Sequence, residues 1–168
     1  MLEGTQGAHL SVYHGTCPAV TSRDTTAASL AGAAGIAPTM ITNVVGVARA
    51  FPIRVAGNSG PLPHETDFAE LGVPAEHTTV SGKVRRIARF DPIAFRQAVQ
   101  LNRPTHLALT FGDYLPEPAR QPFRELVERL AGGTVDYYGL GPTLTDAWLR
   151  PHTLLQTARD AWDRHGGI

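Results

Sequence analysis

The sequence predicts an α/β fold with a mainly parallel sheet and flanking helices. Its second half carries an apolar strand at 106–110, an amphipathic helix at 116–130 and a second strand at 135–138. The glycine pair at 132–133 ends that helix in the manner of a carboxyl-terminal cap. Because strands that alternate with helices favour parallel pairing, this order of elements predicts the fold class.

The composition is that of an ordinary folded domain. The chain has 168 residues, of which 42% are hydrophobic and 18% charged, and its formal net charge is zero. These values exclude a disordered chain and give no electrostatic attraction to nucleic acid or to anionic membranes. The apolar stretches at 27–34 and 44–48 are too short to span a membrane. Cys17 is the single cysteine, so no internal disulfide can form and a cytoplasmic location is expected.

The remaining elements are assigned from local signals, in chain order. Residues 2–22 are rich in Gly, Thr, Ser and His without a helical period, which predicts a loop with short extended pieces. The alanine-rich run at 25–34 predicts a helix, and the β-branched run at 44–55 predicts one strand that ends near Pro52. Further helices are expected around 67–71, at 91–101 with Asp91 as the cap, and at 153–164.

A basic loop at 78–89 is the first candidate site. It places four cations within a few residues: Lys83, Arg85, Arg86 and Arg89. Gly82 lets the backbone approach a ligand, and arginine binds carboxylate or phosphate through two parallel hydrogen bonds. A solvated basic face paired with surface acids explains the composition equally well. Nucleic acid is the weaker interpretation, because the chain is neutral and no aromatic stacking pattern accompanies the charges.

A glycine-rich polar region near the amino terminus is the second candidate. Gln6 and Thr21 have the side-chain groups to bond the polar edge or the phosphate of a nucleotide. A buried turn that satisfies its own backbone explains the same residues, and the pattern alone favours it. His9 and His14 lack a third ligand at a metal-binding spacing, which favours ordinary histidines.

Asp113 and the glycine-containing turn at 139–142 follow the two predicted strands of the second half. A carboxylate at a strand end can accept hydrogen bonds from two adjacent N–H donors of guanine, although capping or solvation is commoner for an isolated aspartate. The sequence contains no GxxxxGK[ST] loop, no GxGxxG turn and no convincing Ser-His-Asp or Cys-His arrangement. A nucleoside triphosphate would therefore find no obvious phosphate cradle in this chain.

Taken in order, short segments of the chain resemble the motifs of adenylosuccinate synthetases. These segments are Glu3-Gly-Thr-Gln-Gly7, His14-Gly-Thr-Cys-Pro-Ala-Val-Thr-Ser22, Thr25-Thr-Ala27, Arg54-Val55, Thr79-Val-Ser-Gly-Lys-Val-Arg-Arg86 and Gly139-Leu-Gly-Pro142. The resemblance runs over essentially the whole chain. Each segment alone is weak evidence, but the complete set in this order is specific to the family. The stretch at 51–63 looks similar to the shorter branch of the family, which includes phage enzymes making 2-aminoadenylosuccinate.

The resemblance implies a ligase of purine biosynthesis that joins L-aspartate to C6 of a purine mononucleotide. A nucleoside triphosphate first phosphorylates the C6 oxygen, and the aspartate amine then displaces phosphate. By resemblance, the mononucleotide would contact Gln6, Thr21, Val55 and Lys83. The aspartate loop would comprise Thr79, Val80, Ser81, Gly82, Lys83 and Arg85, and the triphosphate would contact Arg85, Asp113, Gly139 and Gly141.

Three positions depart from the family pattern. Lys83 stands where the family usually has an arginine, which turns a two-pronged contact into a point charge. Phe111 stands where many members have a lysine beside the guanine-binding aspartate, and Gly139 replaces a serine. GTP is the expected triphosphate because of Asp113, with ATP as the alternative that Phe111 favours.

The resemblance also implies what accompanies this chain. We expect residues 1–168 to be the carboxyl-terminal portion of an incomplete domain, with the phosphate loop, the catalytic pair and the Mg²⁺ ligands in an amino-terminal half that precedes it. The expected partners are IMP or a deoxyguanylate, L-aspartate and GTP, together with a homodimer mate or a separate amino-terminal half. The chain alone is expected to lack synthetase activity. The alternative is a non-catalytic purine-nucleotide-binding or interaction module, either a split-gene half or a pseudoenzyme.

Overall fold

The computed structural model describes residues 1–151, so the helix expected at 153–164 lies outside the described residues. The chain forms two compact units. Unit 1 consists of Met1–Val44 and Phe51–Pro104, and unit 2 consists of Val45–Ala50 and the chain from Thr105 onwards. A short segment of unit 2 therefore interrupts the sequence of unit 1.

Strands and helices of the described residues are numbered here in chain order. The strands are β1 (Val45–Arg49), β2 (Ile53–Arg54), β3 (Glu65–Thr66), β4 (Arg86–Ala88), β5 (His106–Thr110), β6 (Val135–Gly139) and β7 (Ala147–Leu149). The α-helices are α1 (Ala27–Ala33), α2 (Phe68–Leu71), α3 (Pro92–Asn102) and α4 (Glu117–Ala131). Among residues 1–151, no helix is long and apolar enough to cross a membrane.

The sheet of unit 2 confirms the predicted fold class. Its strand order is β1-β5-β6-β7, in which β1, β5 and β6 are parallel and β7 runs antiparallel to β6. Helix α4 packs against β6. It ends at Gly132, where φ is 65° and a glycine adopts the left-handed conformation without steric cost. Leu109, Val127 and Val135 are fully buried, and their removal from water stabilises this unit.

Unit 1 contains less regular structure. Its sheet is antiparallel, in the order β2-β4-β3. Thr26, Asp67 and Asp91 begin α1, α2 and α3 with side-chain oxygens that accept backbone N–H bonds, as the sequence predicts for Asp91. Ile87 and Ala88 of β4 are fully buried, so the short central strand carries part of the apolar core.

The single strand predicted at 44–55 is wrong in its extent, since the structure divides this run between two sheets. Its first part forms β1 in unit 2, and its last part forms β2 in unit 1. Ala50 N donates to Thr110 O at the end of the first ladder, and Ala88 N donates to Pro52 O beside the second. Because Pro52 has no N–H with which to continue a ladder, the chain leaves the first sheet before this residue.

Candidate functional site

The glycine-rich amino-terminal segment is anchored by a buried serine. Ser11 Oγ donates to Asp24 Oδ1 (2.8 Å) and accepts hydrogen bonds from the N–H groups of Tyr13 and His14. Thr26 donates to the same carboxylate from its N–H and from Oγ1. Burial is the largest single influence on the pKa of Asp24 and raises it, but the hydrogen bonds from Thr26 and Ser11, with the charge of His14, lower the pKa overall. The ionised carboxylate therefore ties the two sides of this segment together.

Gln6 and Thr21 lie on this anchored segment in different settings. Gln6 is exposed and takes a left-handed backbone conformation with φ of 61°. Thr21 is half-buried, and its N–H donates to Leu10 O (2.7 Å). Thr25 Oγ1 donates to Gly7 O (2.7 Å), which ties the residue after Gln6 to the start of α1. An exposed amide on a fixed backbone can bond the polar edge of a purine.

The loop that follows β2 is held against the amino-terminal segment. Arg54 Nη1 donates to Ser59 O (2.6 Å) and to Ala19 O (3.3 Å), and Ser59 Oγ donates to Val55 O (2.6 Å). Gly60 has φ of 94°, and a Cβ at this position would lie 2.2 Å from the Cβ of Ala19. The glycine-rich segment and the loop bearing Val55 are therefore neighbours in unit 1.

Arg86 supports the same loop from the other side. Its Nε and Nη2 make a two-pronged ion pair with Glu65 (2.6 and 2.5 Å), and Nη1 donates to Ser59 Oγ (3.0 Å) and Gly60 O (2.7 Å). These hydrogen bonds from Arg86 hold the pKa of Glu65 below its ordinary value. The guanidinium of Arg86 is engaged inside the protein, which assigns it to support of the loop.

The pairing of β2 with β4 brings two predicted subsites together. These strands are antiparallel, and Arg54 lies opposite Arg86. Val55 follows Arg54 and Arg85 precedes Arg86, so the chain segments that carry these two predicted residues leave the same end of the sheet. Arg85 is half-buried, and its Nε donates to His77 O (3.4 Å).

The predicted aspartate loop is a solvent-exposed turn. All five of its residues from 79 to 83 are exposed, and Gly82 has φ of 64°. Lys83 is the single lysine in the sequence, so every other side-chain cation apart from histidine is an arginine. The turn presents backbone N–H groups and one ammonium to solvent, and these groups suit a small carboxylate ligand.

The predicted triphosphate residues of unit 2 meet at the carboxyl ends of β5 and β6. Asp113 is exposed on a short 3-10 helix after β5, and Gly139 is the buried last residue of β6. A Cβ on Gly112 would lie 2.2 Å from the ring of Tyr138 and 2.9 Å from Gly139 O. Only glycine at residue 112 lets the turn with Asp113 approach β6 so closely. Burial is the main cause that raises the pKa of Tyr138.

The turn after β6 is closed by Asp146. Its Oδ2 accepts from Thr143 N (2.9 Å) and from Thr143 Oγ1 (2.6 Å), and its carbonyl accepts from Leu140 N (3.1 Å). The hydrogen bonds from Thr143 lower the pKa of Asp146. A Cβ on Gly141 would lie 2.7 Å from the Cβ of Asp146. One carboxylate therefore orders the turn that holds Gly141.

Arg49 packs on the ring of Phe111, the position at which the resemblance implies a lysine. Arg49 is the last residue of β1 and lies opposite Thr110 of β5. Its guanidinium carbon lies 3.7 Å from the centre of the Phe111 ring, and Tyr114 packs edge-on to that ring with centroids 5.1 Å apart. Residue 111 carries no charge, but the neighbouring strand supplies a cation next to it.

The structure arranges the predicted site residues in groups that belong to different units. In unit 1 it brings together the segments of Gln6, Thr21, Val55 and Arg85, and the exposed loop of Lys83 leads into β4 of the same strand pair. In unit 2 it brings together Asp113, Gly139 and Gly141. Sequence analysis missed the supporting residues Ser11, Asp24, Arg49 and Asp146. The signal for Ser11, Asp24 and Asp146 was a polar side chain outside any helical or strand period, and the signal for Arg49 was a charge within the predicted strand at 44–55.

Metal ligands were expected upstream of this chain. Among residues 1–151, no three His, Cys, Asp or Glu side chains come together as a metal-binding group. His9, interpreted as an ordinary histidine, has Nε2 at 2.8 Å from Ala94 O.

Known proteins share this sequence pattern. The family model for adenylosuccinate synthetase matches residues 1–144. The adenylosuccinate synthetase of Thermococcus onnurineus is 40% identical, over 92% of this chain and 49% of the relative. That of Methanocaldococcus jannaschii is 39% identical, over 86% of this chain and 45% of the relative. The chain spans about half the length of the curated relatives it matches.

Solved structures share the fold. The succinoaminodeoxyadenylate synthetase of cyanophage S-2L, bound to dGMP and to dATP as an energy donor, is 35% identical with a TM-score of 0.80. That match covers 97% of this chain and 49% of the phage protein. The fully ligated adenylosuccinate synthetase of Plasmodium falciparum has a TM-score of 0.75 at 20% identity, over 88% of this chain and 49% of that protein. The ordered motifs, the α/β fold and these matches agree, and the chain belongs to the adenylosuccinate synthetase family of ligases.

Proposed function

We propose that this chain is the carboxyl-terminal portion of a purine-nucleotide ligase, which joins L-aspartate to C6 of IMP or a related mononucleotide. Family membership and the grouping of the predicted residues support the proposal. In it, the mononucleotide binds at Gln6, Thr21 and Val55, L-aspartate binds at the loop 79–83, and the triphosphate binds at Asp113. The partner chain is a homodimer mate or a separate amino-terminal half, and the enzyme works in the cytoplasm.

The pairing of β2 with β4 supports the proposal most directly. Arg54 pairs with Arg86, and their chain neighbours Val55, from the mononucleotide group, and Arg85, from the aspartate group, lie at the same end of this strand pair. The reaction joins an amine to a purine carbon, so its two substrates must be held in contact and correctly oriented. The proposed nucleotide and carboxylate subsites lie at one end of the β2–β4 pair, which would hold the two substrates close together.

The proposed reaction consists of two displacements. The C6 oxygen attacks the γ-phosphorus of the triphosphate, and the nucleoside diphosphate leaves. The amine of L-aspartate then attacks C6, and inorganic phosphate leaves with the oxygen. In the proposal, this chain binds and orients the two substrates. The Lys83 ammonium attracts a carboxylate of L-aspartate, and the Gln6 amide bonds the edge of the purine base. In the proposal, the Mg²⁺ ligands come from the amino-terminal half.

GTP is the proposed triphosphate. The exposed carboxylate of Asp113 can accept hydrogen bonds from the N1–H and the amino group of guanine. Adenine presents N1 as an acceptor, which would face a carboxylate that is itself an acceptor. Arg49, stacked on Phe111, keeps a positive charge close to the position of the family's lysine.

A second candidate is a deoxyguanylate ligase that uses an adenine nucleotide. The cyanophage protein, bound to dGMP and dATP, matches 97% of this chain at 35% identity, and this match favours the alternative. Phe111 agrees with it, because an aromatic face stacks on any base.

Reconstitution tests the proposal. The purified chain is assayed alone and mixed with the amino-terminal half of the Thermococcus onnurineus relative, with IMP or dGMP, L-aspartate, GTP or ATP, and Mg²⁺. We expect no product from the chain alone, and phosphate release with succinyl-nucleotide formation from the mixture given IMP and GTP. Turnover with dGMP and ATP would select the second candidate. Nucleotide binding without turnover in any mixture would select a non-catalytic module.

Lys83→Ala should raise the KM for L-aspartate in the reconstituted enzyme. Loss of a charge-assisted contact costs about 1.5–3 kcal/mol, which corresponds to an increase of about tenfold or more. Lys83→Arg restores the residue that the family usually has and should keep the KM low. An unchanged aspartate dependence in Lys83→Ala would remove this loop from the site.

A further inference from the structure

The loop at 78–83 is closed by the side chain of Thr78. Thr78 Oγ1 accepts from Lys83 N (3.1 Å), donates to Lys83 O (3.2 Å) and lies 2.6 Å from Ser81 Oγ. A hydroxyl has one proton and two lone pairs, so it donates to Lys83 O while it accepts from Ser81 and from Lys83 N. The backbone adds two bonds, from Thr78 N to Lys83 O and from Gly82 N to Thr78 O (both 2.9 Å).

This closure engages some backbone N–H groups of the loop and leaves others without an acceptor in the described part of the chain. The N–H groups of Gly82 and Lys83 are bonded inside the loop, whereas those of Thr79 and Val80 donate to no acceptor among residues 1–151. The side chain of Val80 is fully exposed, so nothing in the described part of the chain covers this corner. Backbone N–H groups that lack an internal acceptor at a turn can bind an anion, and the Lys83 ammonium adds a positive charge to the same exposed loop.

The ends of the loop are fixed independently of the Thr78 hydroxyl. His77 and Val84 form an antiparallel bridge, and Arg85 N donates to Glu76 O (2.8 Å). Removal of the hydroxyl should therefore loosen the turn, in which the two backbone bonds remain, while β4 keeps its place. The effect of Thr78 on the loop can thus be separated from the stability of unit 1.

We propose that Thr78 is a positioning residue of the aspartate subsite, whose hydroxyl holds the N–H groups of Thr79 and Val80 and the Lys83 ammonium towards one carboxylate. The inference rests on the proposed function of this loop. Thr78 touches no substrate in this arrangement and acts through Ser81 and Lys83. A loop ordered before binding loses less conformational entropy on binding, so the hydroxyl increases the affinity for L-aspartate.

The single lysine supplies the probe. Reductive methylation with ¹³C-formaldehyde retains the charge of Lys83 and gives one side-chain NMR signal besides that of the Met1 amine. L-aspartate is titrated into the full chain and into Thr78→Val, Thr78→Ser and the control Thr39→Val, an exposed threonine elsewhere in unit 1. We expect the aspartate Kd to rise about tenfold in Thr78→Val and to stay within about threefold in Thr78→Ser. The Kd for IMP should not change in any variant.

Each outcome bears on a different claim. Wild-type affinity for L-aspartate in Thr78→Val would overturn the role of Thr78 and leave the proposed function standing. If the NMR signal of Lys83 in the wild-type chain did not shift on addition of L-aspartate, while IMP still bound, the aspartate subsite would be overturned as well. Amide hydrogen exchange of the wild-type chain gives a measurement that does not depend on a variant folding. The amides of Gly82 and Lys83 should exchange more slowly than those of Thr79 and Val80, and equal rates would contradict the closed loop.

Discussion

The two units hold their proposed binding residues in different ways. In unit 1 the loops are fixed by polar side chains that bond backbone groups, namely Ser11, Arg54, Arg86 and Thr78. In unit 2 the side chain of Asp146 orders the turn of Gly141, but Asp113 and Gly139 lie at the ends of hydrogen-bonded strands and are brought together by the close packing of Gly112. Polar substitutions remote from the ligand should therefore disturb the loops of unit 1, whereas apolar substitutions should disturb Asp113 and Gly139 of unit 2.

The largest expected effect lies in the core of unit 2. Leu109 lies on β5, between β1 and β6, and is fully buried. Leu109→Ala should lower the free energy of unfolding by about 2–5 kcal/mol, because the lost side chain leaves a cavity. Denaturant titration followed by circular dichroism measures the change. Val47→Ala, at a residue 71% exposed on β1, is the control and should cost less than about 0.5 kcal/mol. Equal losses in the two variants would contradict this assignment of the core.

Arg86→Ala tests the other side of the comparison. It removes the ion pair with Glu65 and the bonds to Ser59 and Gly60, so the free energy of unfolding should fall by about 2 kcal/mol. The affinity for IMP should also fall, because the loop bearing Val55 loses its support. Denaturant titration and calorimetric titration measure these changes.

Arg89→Ala is the matched control for Arg86→Ala. It removes an ion pair with Glu70 in which the two side chains are 56% and 57% exposed, so neither stability nor IMP affinity should change measurably. If the two arginine variants behaved alike, the support of the unit 1 loops by the partly buried bonds of Arg86 would be wrong.

The smallest expected effect is a change in stability at acidic pH. The pKa of Asp24 lies below its ordinary value of 3.8 in the folded chain. Its ionised form therefore contributes stability that is present above pH 3.8 and is lost as the pH falls through the lowered pKa. Asp24→Asn should be less stable than the wild type near neutral pH, and the difference should shrink as the pH falls below 3.8. Paired unfolding measurements at each pH check this, and a constant difference would exclude the carboxylate as the cause.

Local patterns predict unit 2 better than unit 1, because its elements carry their own signals. The strand His106–Thr110 and the helix Glu117–Ala131 follow from apolar periodicity and from the stop signal at Gly132. The division of 44–55 cannot be predicted in this way. Pro52 marks a break in the run, but both parts are apolar, and the long-range bonds of Ala50 and Pro52 determine which sheet each part joins.

The residues of the candidate site also differ in how well the sequence predicts them. Gln6 and Asp113 can be named from the family resemblance, whereas the residues that support them cannot. Ser11 meets Asp24 across 13 positions of the chain, and Arg86 meets Glu65 across 21, so their roles depend on where the loops meet. The sequence at Phe111 shows an uncharged residue, but the positive charge beside it comes from Arg49 on another strand.

The interruption of unit 1 by β1 has a consequence for biosynthesis and for engineering. The ribosome makes β1 before residues 51–104, and its partner β5 only after them. Native pairing of β1 must therefore wait until a long loop has closed, and until then the strand is open to other chains. Because β1 and β5 are parallel, a continuous version of unit 2 would need a crossover linker in place of residues 51–104, from the end of β1 back to the start of β5.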